Sequence, residues 1–553
     1  MTSNAPANDP DAFYARLLQA PVAPPTIRAS AAVVPWRRDA EGTLRVYWAR
    51  RAATMAFMGG WWAFPGGGVS RRDVAAETDA RAAGRLIGDV AGTPASTVTA
   101  PAPALDAAEQ AALAPDLAPG VVFAALRELF EETGLLPLAG GDAVDPRSTV
   151  VREARRRLLA KEVGFGELLA AHGWTLDAAP LRFAGRWLTP PFAPMRFDNR
   201  FALLHWPAER PDPVLLADDD VPGPRGAELD RGAWTTSEDA LDAWRRGEVT
   251  AAPPILHILR VLGDAGPKNG HRRLLDTSEA DLGPLRRIEF RPGVVLLPLR
   301  TPTLPPATHT NAVLLGTGDA VLIDPATPLA EEQDRLLAAL DAFVAAGRRI
   351  RAIWLTHHHP DHVGAVLRVR RHLGVPIQAH ADSAAGLAAQ GIAIDETLAG
   401  DTVVDLGGPD APFPVRVLHT PGHTRGHLAF LDETHGSLIA GDLASTLSTI
   451  VIDPPEGDMS AYLDSLERVV ARRPRTLFPA HGPVVLNAVG TLERLHRHRL
   501  EREEQILAAH ADGHTSVETL VPIVYAGIPE ALYPVAARQA EAHLHRLRAL
   551  GRL

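Results

Sequence analysis

In the second half of the chain, five short apolar runs each lead directly into a histidine or an aspartate. "AVLIDP" delivers Asp324, "RAIWLTHHHPDH" delivers His357, "VRVLHTPGHTRGH" leads to His423, "GSLIAGD" ends in Asp442 and "RTLFPAHGP" reaches His481. Short apolar runs bounded by turn residues read as buried strands, and the helix-length stretch from about 329 to 346 separates two of them. That rhythm requires an α/β layer structure. In such sheets, sites gather beyond the carboxyl ends of the strands, where these titratable residues stand.

The site lies deep in a long chain. At 553 residues the protein exceeds what one core can organise, and its length corresponds to about three or four domains. Nothing approaches the roughly 18 consecutive apolar residues of a membrane span. The N-terminal "MTSNAPANDPDAFYARLLQAP" has neither a basic start nor an apolar stretch, so no signal peptide is expected. Cysteine is absent; disulfides and thiolate metal sites are therefore excluded, and a cytoplasmic location is the expectation. Lysine occurs only at Lys161 and Lys268, a bias towards arginine that fits a GC-rich, bacterial genome. The net charge of −10 leaves no footprint for bulk nucleic-acid binding, although a local basic groove stays open.

Composition divides the chain further. Residues 1–26 read as a flexible tail with a short helix around Asp11–Gln19, and the strand-like "TIRASAAVVPW" and "TLRVYWAR" follow. Residues 74–120, centred on "TPASTVTAPAPA", read as a low-complexity insertion. Next comes the helix "VVFAALRELFEETGLL", ending at Gly134. The Gly/Pro/polar stretch 264–285 reads as a linker, and the last 57 residues as a small helical unit in which Ala540, Leu544 and Leu547 form an apolar stripe.

The densest chemistry is His357-x-His359-x-Asp361-His362. Alternate residues of an extended loop can converge on one ion, and imidazole and carboxylate suit zinc. Taken singly, His423, Asp442 and His481 would pass for satisfied structural residues; their joint arrival in this order makes the case. The arrangement resembles the metallo-β-lactamase-fold hydrolases over residues 286–496. The resemblance implies that His357, His359 and His423 hold one metal, that Asp361, His362 and His481 hold a second, and that Asp442 bridges them. Asp324 would support the loop from behind. His358, at a variable position, receives no role, and His427 is either structural or faces substrate. Two zinc ions are implied, with iron or manganese also acceptable to an all-His/Asp set. Such a pair lowers the pKa of a bridging water from about 15.7 towards 7, and Asp361 would orient that nucleophile as well as ligate.

A second constellation lies upstream. Glu128, Glu131 and Glu132 fall at i, i+3 and i+4, three carboxylates on one helical face. Like charges at that spacing destabilise a bare helix by a few tenths of a kcal/mol per pair, and a cation such as Mg²⁺ relieves the repulsion. The segment Arg127-Glu128-Leu129-Phe130-Glu131-Glu132-Thr133-Gly134-Leu135 matches the second half of a Nudix box. With "FPGGGVSRRD" it resembles the CoA-diphosphatase-like branch, as do 186–206 and the segment beginning "WTTSEDALDAW". Two departures stand: Asp73 occupies the glutamate position six residues after Gly67, and 53 residues separate Asp73 from Arg127. The resemblance implies that Glu128, Glu131 and Glu132 bind Mg²⁺ or Mn²⁺ while Arg127 positions a carboxylate for attack of water on a pyrophosphate.

Residues 497–553 resemble the winged-helix domain that ends the β-lactamase-like protein 2 group, some of whose members are endoribonucleases. Seven arginines against seven acidic residues there give no phosphate-binding surface by composition, which favours a module that caps the site or mediates a homodimer.

The expectation is therefore an α/β protein. Residues 27–263 would form a Nudix α/β/α sandwich and 286–496 a metallo-β-lactamase αβ/βα sandwich, with a winged-helix domain over 497–553. The expected activity is hydrolysis of a thioester or ester of acyl-CoA or glutathione type, joined to Nudix hydrolysis of a nucleotide or CoA derivative, with no membrane partner. The alternative is an endoribonuclease acting on single-stranded RNA, with a degenerate, nucleotide-sensing Nudix domain.

Overall fold

The computed structural model describes residues 27–55, 58–91, 120–190, 193, 195–217, 221, 226–275, 288–408 and 411–553. The chain divides into two compact units, one within Pro24–Pro292 and one within Gly293–Leu553. The expected helix at Asp11–Gln19 and the "TPASTVTAPAPA" segment lie outside the described residues.

The N-terminal unit is built on a seven-stranded sheet. Strands β1 (Ile27–Arg38) and β2 (Leu44–Arg51) are the two expected from the sequence, followed by β3 (Trp62–Ala63) and β4 (Gly66–Gly68). Helices α1 (Arg71–Ala82) and α2 (Val121–Thr133) precede β5 (Leu181–Leu188), β6 (Arg196–His205), β7 (Leu229–Thr235) and α3 (Pro253–Leu275). The strand order is β3-β2-β1-β6-β5, with β4 paired to β1 and β7 to β2. Period-two alternation makes this sheet two-faced. Ala31, Val33, Ala202 and Leu204 pack with Phe123, Leu126 and Phe130 of α2. Ala32, Val34, Phe201 and Leu203 face Ile255, Ile258 and Leu262 of α3. The result is a three-layer α/β/α sandwich.

Two stretches read as irregular contain helix. Residues 74–82, assigned to the insertion, belong to α1, whose start is fixed by a capping box: Asp73 N donates to Ser70 Oγ at 3.2 Å and Ser70 N to Asp73 Oδ2 at 2.8 Å. Residues 264–275, read as the beginning of a linker, continue α3. The backbone breaks at Gly266, where φ is 65°, and Pro267 restarts the helix, whose Leu274 is buried in the same core.

The second unit contains two sheets. The first comprises β8 (Val294–Arg300), β9 (His309–Leu315), β10 (Asp319–Ile323), β11 (Arg349–Trp354), β12 (Ile377–Ala379) and β13 (Glu396–Thr397), neighbours in that order. Helices α4 (Ala330–Ala345), α5 (Pro360–Val363) and α6 (Val366–Leu373) lie between its strands in sequence; α4 matches the predicted span within one residue at each end. Leu336, Leu340 and Phe343 of α4, with Val366 and Val369 of α6, cover the outer face of that sheet. The second sheet orders β14 (Val403–Asp405), β15 (Pro414–His419), β16 (Leu428–Asp432), β17 (Ser437–Gly441) and β18 (Thr476–Pro479). Helix α7 (Met459–Ala471) covers it with Tyr462, Leu463 and Leu466. Between the sheets, the Trp354 and Phe430 rings meet at 5.0 Å, giving the expected αβ/βα layering.

The tail consists of α8 (Ala488–Ala511), α9 (Val517–Val524) and α10 (Tyr533–Ala549). Helix α8 is continuous through 496/497, where the sequence placed a domain boundary. Its first turns pack on the second sheet through Ala488 and Leu492, and Ile506 and Ala509 join the C-terminal core with Ala540, Leu544 and Leu547.

Candidate active site

The histidine loop hangs from the end of β11 and is anchored by Asp324, at the end of the parallel neighbour β10. Asp324 adopts a left-handed backbone, φ 48°, a conformation that costs energy for a non-glycine residue and must be held by its surroundings. Its Oδ1 accepts from Thr356 N at 2.8 Å, and its Oδ2 accepts from Thr356 Oγ1 at 2.6 Å and from His362 Nδ1 at 2.8 Å. One buried carboxylate thereby fixes both the loop's start and one imidazole. Pro360 then begins α5, with His359 as its N-cap.

The first expected ligand set is brought together. His357 Nε2 lies 3.0 Å from His359 Nδ1, and His423 Nε2 lies 2.9 Å from the same atom. Thr356 Oγ1 gives its proton to Asp324 and so accepts from His357 Nδ1 at 3.0 Å, while His423 Nδ1 donates to the Val451 carbonyl at 2.7 Å. Both Nε2 atoms therefore carry lone pairs pointing inward. Three nitrogens converging in this way are favourable around a cation.

The second set also assembles. Ligand atoms of Asp361, His362 and His481 lie within 4.8 Å of one another. Thr303 Oγ1 donates to Asp361 Oδ2 at 2.6 Å and His481 Nδ1 donates to the His309 carbonyl at 3.1 Å. Asp442 stands between the sets: Oδ1 is 3.4 Å from His481 Nε2 and 3.6 Å from His362 Nε2, and Oδ2 is 3.4 Å from His423 Nε2. Buried polar atoms normally find partners; here His362 Nε2 and Asp442 Oδ1 have no hydrogen-bond partner among the described residues. The donor set, its tautomers and these orphaned atoms fit a pair of divalent metal ions.

Electrostatics prepares the same donors. Burial, reinforced by neighbouring imidazoles, pushes His357 well below the usual histidine range, and burial with His423 beside it brings His359 down to about 3. Burial also lowers His423. Asp361 and Asp442 are held below the usual carboxylate range because the histidines around them outweigh the burial that opposes it. For His362, burial is outweighed by Asp442 and Asp324, which hold it up at about 10. At neutral pH the first set is thus neutral imidazole and both aspartates are ionised, the forms that ligate, whereas His362 carries a proton that a metal ion would displace from Nε2.

Geometry also settles His427, which the sequence left between two roles. Its Nε2 accepts from the Asp442 backbone N–H at 2.9 Å, and its Nδ1 donates to Thr420 Oγ1 at 2.8 Å. One ring nitrogen serves the Asp442 turn and the other is held by Thr420. That turn needs Gly441 (φ 51°), where a Cβ would lie 2.8 Å from His427 Nε2. His358 Nε2 lies 3.5 Å from Glu456, and ligand atoms of His358, His359 and Glu456 lie within 4.8 Å of one another, beside the first set. Glu456 and Thr303 were not anticipated; the "PPEGD" turn carries its carboxylates as a faint signal, and Thr303 carries none.

The N-terminal carboxylates take a different form. Arg127 binds Asp73 through two nitrogens, at 2.7 and 3.2 Å, and its Nη1 lies 2.9 Å from both Glu128 and Glu131. The shorter Asp73 side chain thus still reaches the arginine across the 53-residue separation. Glu132 Oε2 accepts from Gly66 N at 2.8 Å; a Cβ on Gly66 would sit 2.3 Å from the Ala31 carbonyl oxygen and one on Gly67 2.4 Å from Glu128 Oε1, so close approach requires glycine at these two positions. Burial raises all three glutamates: Glu128 reaches about 8, helped by Glu131 and Glu228, and Glu132 rises well above its usual range. Glu228 was missed because it lies 96 positions beyond Glu132 in an unpatterned loop. Among the described residues, the three-residue sets whose ligand atoms converge within 4.8 Å do not include these glutamates.

Two helix-flanked, face-packed sheets with a His/Asp cluster at their strand ends define a hydrolase of the metallo-β-lactamase fold. Sequence models of the Metallo-beta-lactamase superfamily and of the Beta-lactamase associated winged helix domain match residues 305–481 and 516–553. The Beta-lactamase-like protein 2 homolog of Drosophila melanogaster is 32% identical over 44% of this chain and 84% of its own length. The chain belongs to the metallo-β-lactamase superfamily. The Hydroxyacylglutathione hydrolase of Acidiphilium cryptum is 31% identical, over 35% of this chain and 70% of that protein. Among solved structures, a NUDIX hydrolase from Alicyclobacillus acidocaldarius is 28% identical, with a TM-score of 0.32, covering 46% of this chain and 98% of that one.

Proposed function

We propose that the second unit hydrolyses a thioester or related ester of acyl-CoA or acyl-glutathione type. The observation that carries this reading is Asp442, whose two oxygens face the two histidine sets separately; likeness to a hydroxyacylglutathione hydrolase favours the thioester class. His357, His359 and His423 would hold one divalent metal, Asp361, His362 and His481 the other, with Asp442 shared. Zinc, iron and manganese all suit these donors. Such a pair, when bound, supplies an activated water and polarises a carbonyl. The chain's own residues hold the donors in place: Asp324 and Val451 orient His362 and His423, and Thr303 fixes Asp361 Oδ2, leaving its other oxygen to orient a nucleophile.

For the N-terminal unit the reading is Nudix-type hydrolysis of a nucleotide or CoA pyrophosphate with Mg²⁺ or Mn²⁺. Glu128, Glu131 and Glu132 would bind the cation, while Arg127, clamped by Asp73, positions Glu131. Buried glutamates that hold protons near neutral pH are groups that a divalent cation would discharge.

The test sets acyl-CoA and acyl-glutathione thioesters beside single-stranded RNA, with wild type and His359→Ala. Thioester cleavage lost in the variant is the expected result; RNA cleavage lost in the variant, with thioesters untouched, refutes the substrate class. For the N-terminal unit, dinucleotides and CoA are supplied with Mg²⁺, and absence of phosphate-containing products would replace catalysis with nucleotide sensing.

A further inference from the structure

The 450–456 loop touches the site at two points: the Val451 carbonyl receives His423 Nδ1–H, and Glu456 faces His358. This loop is held from the C-terminal helices. Arg499 of α8 donates through Nη2 to the Ile450 carbonyl and through Nη1 to Gln539 Oε1 at 2.9 Å. Gln539 of α10 donates its Nε2 to the same Ile450 carbonyl at 2.9 Å, and Arg538 Nε lies 3.5 Å from Asp453. A second route starts from the same guanidinium, which lies 5.4 Å from the Tyr462 ring; Tyr462 Oη donates to the Leu443 carbonyl at 2.9 Å, one residue from Asp442. Arg499 and Gln539 are only 3% and 5% exposed. Burying a guanidinium is costly unless its acceptors are fixed, and these acceptors are the loop and the residue that grips it.

We propose that the C-terminal helices are a positioning element of the metal centre, with Arg499 and Gln539 setting the orientation of His423 through the Ile450–Val451 backbone. The proposal rests on the reading of His423 as a metal ligand. It gives the winged-helix tail a role that requires no nucleic acid, which accords with its even charge balance. Arg499 and Gln539 are positioning residues, since each acts through main chain.

The test uses the full-length protein, zinc ion as the probe, and affinity measured by competition with a chromophoric chelator, alongside thermal unfolding. His423→Ala establishes the ligand reading by losing zinc affinity. Arg499→Lys keeps the charge but cannot fork between Ile450 and Gln539, and Gln539→Ala removes the second grip. Each is expected to weaken one zinc about 10–100-fold, the usual effect of removing an orienting partner. Leu544→Ala, in the C-terminal core away from the loop, is expected to lower the melting temperature with zinc affinity unchanged. Wild-type affinity in Arg499→Lys and Gln539→Ala, with His423→Ala impaired, overturns the proposal. So does an equal loss in Leu544→Ala, which would make the effect one of general stability. Wild-type affinity in His423→Ala overturns the ligand reading itself.

Discussion

Asp324 shows how much one side chain organises: with both oxygens engaged, it holds a strained backbone, a loop and an imidazole at once. Asparagine there would turn a donor either towards the Thr356 backbone N–H or towards the Thr356 hydroxyl and His362 Nδ1–H together. Asp324→Asn is therefore expected to lower metal affinity about 10–100-fold, read by chelator competition; unchanged affinity would reduce Asp324 to a backbone anchor. Glu128 offers a different handle. Its folded pKa of about 8 lies above the ordinary carboxylate value, so the folded state binds the extra proton between roughly pH 4.5 and 8. Stability must then fall as pH rises through that window, by up to about 1.4 kcal/mol per pH unit. Urea unfolding in chelator at pH 5 and pH 8 checks this, and Glu128→Gln should make the dependence shallower while leaving the share of Glu131 and Glu132, which burial also raises. The candidate ligand residues that the structure brings together were legible because each lies at or just beyond the end of an apolar run. The role of His427 was not, since it depends on which atom meets the Asp442 N–H.

At the scale of elements, apolar periodicity located α4 and α2, and Gly134 marked the end of α2 with a φ of 76°. Alanine-rich composition hid α1, although Ser70-x-x-Asp73 was a visible start signal. Ser70→Ala is expected to cost about 0.5–2 kcal/mol in urea unfolding. Asp73→Ala should cost more, because it also removes the carboxylate that Arg127 grips. Helix α3 was cut short in the sequence reading because Gly266-Pro267 looks like a terminus; burial of Leu274 overrides that local signal. The same override carries α8 through the expected boundary at 496/497.

On the scale of the whole molecule, each unit has its own core and its own candidate chemistry. His359→Ala is expected to abolish thioester hydrolysis and spare pyrophosphate hydrolysis, while Glu132→Gln should do the reverse. Paired assays on both variants check this; joint loss in either one would show that the two activities share a site. No helix among the described residues is long and apolar enough to cross a membrane. Composition and motif order made the two-unit plan legible, whereas the contacts of Arg499 and Gln539, 49 and 89 residues from Ile450, leave no local trace.

The loop bearing His357, His359, Asp361 and His362 follows β11 of one sheet, whereas His423, Asp442 and His481 follow β15, β17 and β18 of the other. An ion seated among them is a staple across the seam of the sandwich, and separating the two halves means releasing it. Occupancy therefore doubles as mechanical reinforcement, and saturation at 100 times the dissociation constant is worth about 2.7 kcal/mol. A protein stripped by chelator should unzip first along that seam, so its inactivation by heat would be a failure of the joint before it is a failure of the chemistry.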